Sequence, residues 1–98
     1  MALSINNDGN PIIVTGTTAA SEVIIDKGLG GALLIKFIKW HKPTTIGHLC
    51  VLTDSNGREI TKFDCEVADE SQWAPIWSYY PNIYCDDMDS GELYIYTK

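Results

Sequence analysis

The chain has 98 residues, 45% of them hydrophobic, which suits one compact domain with one core and is too apolar for a disordered tail. Its formal charge of −6 is uneven: residues 1–49 carry four lysines against three acids, and residues 50–98 carry three basic residues against ten acids, giving +1 and −7. So acidic a half repels phosphate backbones and argues against nucleic acid as a partner, and no apolar run approaches the roughly 20 residues of a membrane helix.

The start, Met1-Ala2-Leu3-Ser4, lacks the basic flank and apolar centre of a signal peptide, so a cytoplasmic product with no membrane partner is expected. Residues 1–11 gather Asn6, Asn7, Asp8, Gly9, Asn10 and Pro11, turn formers that predict an N-terminal arm and leave 12–98 as the folded domain. Ile12-Ile13-Val14-Thr15 and Val23-Ile24-Ile25 are β-branched runs that predict strands, divided by the small residues Gly16 to Ala20. Gly28, Gly30 and Gly31 lack the GxGxxG register and precede a strand, so they predict a flexible connection in place of a phosphate cradle. From Ala32 to Trp40, alternation sends Leu33, Ile35 and Phe37 one way and Leu34, Lys36, Ile38 and Trp40 the other. Both faces of that strand then carry apolar side chains.

His48 to Thr53 and Arg58 to Val67 flank Ser55-Asn56-Gly57, where Asn-Gly suits the positive φ angles of a two-residue hairpin turn. Pro75 stops a helix after Asp69 and predicts an irregular link, with a strand only from about Ile76 to Tyr80. Asn82 to Cys85 follows, then the turn Met88-Asp89-Ser90-Gly91, then a terminal strand Glu92 to Tyr96 with Leu93 and Ile95 opposite in direction to Tyr94 and Tyr96. The sum is about eight short antiparallel strands, an all-β single-domain β-sandwich of jelly-roll-like or immunoglobulin-like form.

No residue pattern carries chemistry. Cys50, Cys65 and Cys85 have no CxxC spacing and read as buried free thiols. His48 and Cys50 stand two apart and share a strand face, but without a tight cysteine turn they do not make a zinc site, and without an orienting third group they do not make a nucleophile. Ser90 is not in a GxSxG elbow, and Asp86, Asp87 and Asp89 lack the order of a calcium loop. No catalytic residue, metal or cofactor is therefore assigned.

The rings are the unusual feature. Trp40, Trp73, Trp77, Tyr79, Tyr80, Tyr84, Tyr94 and Tyr96 are more than so small a core readily encloses, so some should lie at a surface, where Tyr and Trp favour contacts with other molecules. The two-faced strand and the terminal strand place Ile38, Trp40, Tyr94 and Tyr96 at or near a subunit contact; alternatively Trp73, Trp77, Tyr79 and Tyr80 form a shelf for sugar rings.

The segments Ile38-Lys39-Trp40, Thr44-Thr45-Ile46-Gly47-His48, Thr53-Asp54-Ser55-Asn56-Gly57-Arg58-Glu59-Ile60 and Met88-Asp89-Ser90-Gly91-Glu92-Leu93-Tyr94-Ile95-Tyr96 resemble a family of small phage and prophage proteins, over about residues 22–97. That resemblance implies a component of a phage particle or an accessory of its assembly, with no known enzymatic activity. With the two-faced apolar strand, the expectation is a homo-oligomer or a partner of a capsid or tail protein, made in the host cytoplasm and carried in the virion if it is a particle component.

Overall fold

The computed structural model describes residues 3–27 and 30–97. Its strands are β1 (Leu3–Asn6), β2 (Ile12–Gly16), β3 (Glu22–Asp26), β4 (Leu33–His41), β5 (Leu49–Thr53), β6 (Glu59–Asp64), β7 (Gln72–Tyr80), β8 (Asn82–Met88) and β9 (Glu92–Thr97). They form a five-stranded sheet in the order β1-β2-β9-β4-β7 and a four-stranded sheet in the order β3-β8-β5-β6. The pairings are nested: β2 with β9, β3 with β8, β4 with β7 and β5 with β6, all antiparallel. A long hairpin folded over and rolled into two facing sheets is a jelly roll, so of the two sandwich forms expected it is this one. Among the described residues no helix is long and apolar enough to cross a membrane.

The core lies between the sheets. Val14, Ile35, Ile38, Trp40, Leu93 and Ile95 come from one side, and Cys50, Leu52, Phe63, Ile83, Cys85 and Met88 from the other. Trp40 spans the layer, its ring stacked on Phe63 at 6.0 Å between centroids.

Four local expectations need correction. The arm is not free: Leu3–Asn6 pairs with β2 as an edge strand and buries Leu3, because its Leu and Ile alternate in phase with the core face of β2. Strand β7 begins at Gln72, not near Ile76, and runs through Pro75. It tolerates the proline because it is an edge strand, where the absent N–H leaves no ladder bond unmade. The hairpin loop takes three residues, not two: Asp54 and Arg58 close it through Asp54 N to Arg58 O at 2.9 Å, and the Asp54 carboxylate accepts from the Asn56 and Arg58 amides. There only Gly57 has positive φ, the left-handed residue that such a loop requires. Gly28 and Leu29, in the expected connection, lie outside the described residues.

The fourth correction concerns β4. Between Ile35 and Phe37 the register slips, the interval spanning one residue step in β9, two in β4 and three in β7. This bulge changes the phase of alternation. Ile35, Ile38 and Trp40 therefore all face the core, and Phe37 turns out. An unbroken alternation made both faces look apolar; the bulge accounts for much of that.

Candidate interaction surface

The outer face of the five-stranded sheet carries rings where a solvated sheet face ordinarily carries polar side chains. Residues of β4, β7 and β9 meet there because the register sets Lys39 opposite both Trp73 and Tyr94, and Phe37 opposite both Pro75 and Tyr96. Phe37 stacks on Tyr96 at 4.4 Å and tilts against Trp73 at 5.3 Å, while Trp73 and Tyr96 lie 5.9 Å apart. Lys39 Nζ sits 5.0 Å over the Trp73 ring and 5.7 Å over the Tyr94 ring, and His41 stacks on Tyr94 at 5.1 Å. Burial and the neighbouring Glu92 carboxylate, whose Oε1 accepts from Tyr94 Oη at 3.4 Å, raise the Tyr94 hydroxyl above the ordinary tyrosine range. The phenol stays neutral and keeps its donor.

Strand β7 continues this surface to the edge. Trp73, Trp77 and Tyr79 are 54%, 64% and 63% exposed, whereas Tyr80 packs against the core. Trp77 occupies the bulge with φ +50°, a left-handed conformation that a bulky side chain adopts at a cost.

Of the four residues expected at a subunit contact, Tyr94 and Tyr96 are on the outer face, but Ile38 and Trp40 are not. Both are fully buried between the sheets, because the bulge returns them to the core phase, and neither can anchor a partner. Of the four expected at a sugar shelf, Trp73, Trp77 and Tyr79 share the exposed edge and Tyr80 does not. Phe37, Lys39 and His41 were not assigned to the surface from sequence. Their signal is the two-residue phase they share with Tyr94 and Tyr96 once the slip at Lys36 is known.

A second constellation gathers Trp40, Thr44 and His48 around Ser90. Trp40 Nε1 donates to the Ser90 carbonyl at 2.9 Å, the Thr44 amide donates to Ser90 Oγ at 3.0 Å, and His48 Nδ1 is 2.8 Å from the same hydroxyl. The Leu49 amide donates to Asp89 Oδ2 at 2.9 Å. Ser90 is only 9% exposed, and its hydroxyl is engaged from two sides. These bonds tie the loop after β4 to the turn before β9; the residues are brought together as a clasp.

Beside the clasp, Asp87 and Asp89 hydrogen-bond to each other and divide their charge unequally. Burial first, then the hydrogen bond to Asp89 and its charge, push the Asp87 carboxyl up to about 6. One oxygen of Asp87 is buried without a hydrogen-bond partner among the described residues. The Asp87 hydrogen bond and the Leu49 amide hold Asp89 below the ordinary carboxylate range. His48 is engaged with Ser90, and Cys50 points inward, so they do not converge. A hydrogen bond to Cys85 and then burial raise the Cys50 thiol well above its ordinary value, and all three cysteines are buried free thiols. Among the described residues no group of three or more His, Cys, Asp or Glu side chains is arranged to hold a metal ion.

No family model, curated protein or solved structure matches the chain.

Proposed function

We propose that the chain is a non-enzymatic assembly protein of a phage or prophage particle, which joins copies of itself or docks on a capsid or tail component through the outer face of β4, β7 and β9. The observation that carries this reading is the Phe37, Trp73 and Tyr96 ring cluster with Lys39 over it, large amphipathic side chains held rigidly on a sheet face outside the core. Such rings lose little side-chain entropy when covered, and they are the residue types that dominate protein contacts. The jelly roll is found among viral capsid domains, a likeness of fold alone. It also occurs in lectins.

Mass spectrometry of particles purified from the phage or induced prophage that encodes the chain tests the proposal. The product should be present, and F37A/W73A should lose it from particles while keeping a cooperative melt. Absence of the wild-type product from intact particles overturns the reading.

A second reading rests on a separate observation, the row of exposed rings Trp73, Trp77 and Tyr79 on the edge strand. Flat rings along one strand offer stacking faces to a saccharide, which makes the chain a carbohydrate-binding module for host attachment. A glycan array decides it: binding should disappear in W77A, and an array without signal removes this alternative.

A further inference from the structure

We infer that the outer face of the five-stranded sheet is self-complementary and takes a second copy of the chain, face to face, about a two-fold axis lying in the contact plane. This rests on the assembly reading and names which partner covers the face.

The first support is where the charge lies. The outward side of the four-stranded sheet carries Asp26, Glu59, Asp64 and Asp87 against Lys62, so two copies of a chain with net charge −6 repel when they approach on that side. The ring-bearing face differs. Its charged groups are Lys39 and Glu92, with half-exposed Lys36 at the bulge, so it has both signs and no acidic excess. Of the two sheet faces, this is the one on which a copy can meet its like without stacking acid upon acid.

The second support is the arrangement of the two signs. Lys39 pairs across the ladder with Tyr94, and His41 pairs with Glu92, so the four residues mark the corners of a rectangle. Lys39 and Glu92 occupy one diagonal. The stacked His41 and Tyr94 rings occupy the other, 5.1 Å between centroids. A two-fold axis in the contact plane, perpendicular to the charged diagonal through its midpoint and so passing between the two rings, exchanges the ends of that diagonal, setting each Lys39 over the Glu92 of the other copy. An isologous contact has this property: residue i meets j, and j meets i.

The third support is relief. The ring cluster lies on the β4 and β7 side of the face, while the β2 side presents Ile13 and Thr15, which are smaller. The same rotation carries the tall half of one copy onto the low half of the other. Five strands at about 4.8 Å spacing and strands of about 17 Å give a flat patch of roughly 400 Å² per copy, at the small end for specific contacts. A reversible dimer is expected.

Sedimentation equilibrium across a concentration series on the full chain, with K39E, E92K and the exchanged double variant K39E/E92K, tests the arrangement, each variant checked by its melt. Each single reversal should weaken the dimer at least tenfold by setting like charges opposite one another, and the exchange should restore most of the loss. Singles that are not restored by the exchange, or a dimer indifferent to both reversals, overturn the two-fold arrangement even though the chain self-associates. A wild-type chain that is monomeric at every concentration yet present in purified particles overturns it and leaves the assembly reading standing; absence from particles as well overturns both.

Discussion

Gly91 has φ +76°, and a Cβ there would lie 2.8 Å from the His41 carbonyl oxygen, 3.0 Å from Trp40 Nε1 and 3.2 Å from Pro43 Cα. Two of those atoms are backbone and the third is the buried indole that bonds Ser90, so none can yield cheaply. Gly91→Ala should lose at least about 2 kcal/mol in urea unfolding, through strain at positive φ and rupture of the clasp. Asp87 makes a different prediction. Below its unfolded value of 3.8 the carboxyl is protonated both folded and unfolded; from there to about 6 the folded chain keeps a proton that the unfolded chain releases, so stability falls as pH rises through that window. Asp89, whose value is lowered, contributes in the opposite sense: its share is present above 3.8 and lost as pH falls through its folded value. Asp87→Asn should flatten the fall between pH 4 and about 6 and gain roughly 1 kcal/mol at pH 7, allowing for screening of a carboxyl that is partly solvated. Unfolding curves at pH 4, 5, 6 and 7 measure both effects.

At the scale of elements, the bulge shared by β4, β7 and β9 determines what the outer face displays. It turns Phe37 out beside Tyr96, and it holds Trp77 at φ +50° on an exposed edge. A left-handed conformation costs a bulky residue about 1–2 kcal/mol, more than the entropy a glycine loses. Trp77→Gly should therefore keep or raise stability by up to about 1 kcal/mol. Trp73→Gly, at ordinary φ and packed against Phe37 and Tyr96, should lower it. Thermal melts of the pair distinguish the two positions. Pro75 and the bulge also mark β7 as an edge that resists further strand addition, which favours the sheet face over that ladder for the contacts proposed above.

For the whole molecule, the nested pairing makes most of the fold non-local: Ile13 pairs with Tyr94, Val23 with Tyr84 and Leu34 with Tyr79. Loop closure must precede the contacts that stabilise it, so refolding should occur on the order of milliseconds to seconds, and a microsecond relaxation in stopped-flow or temperature-jump traces would contradict the nested pairing. The same roll separates the two outer faces chemically, rings with Lys39 on one and acids on the other. The charge contrast between chain halves becomes a contrast between faces because β5, β6 and β8 of the acidic half share one sheet.

Local features were legible in the residues alone. Alternation in β9, β-branched runs in β2 and β3 and the Gly57 and Gly91 turns gave strands where strands are, because side-chain direction and φ are decided within a few residues. What needed the fold was anything decided by a distant neighbour. The phase of Ile38 and Trp40 depends on a slip against β9, the tolerance of Pro75 on β7 having only one ladder, and the order of Leu3–Asn6 on pairing with β2. The chain by itself determined an all-β sandwich with surplus rings; the tertiary structure decided which rings face out, because a one-residue shift between paired strands exchanges inside for outside and no local pattern records it.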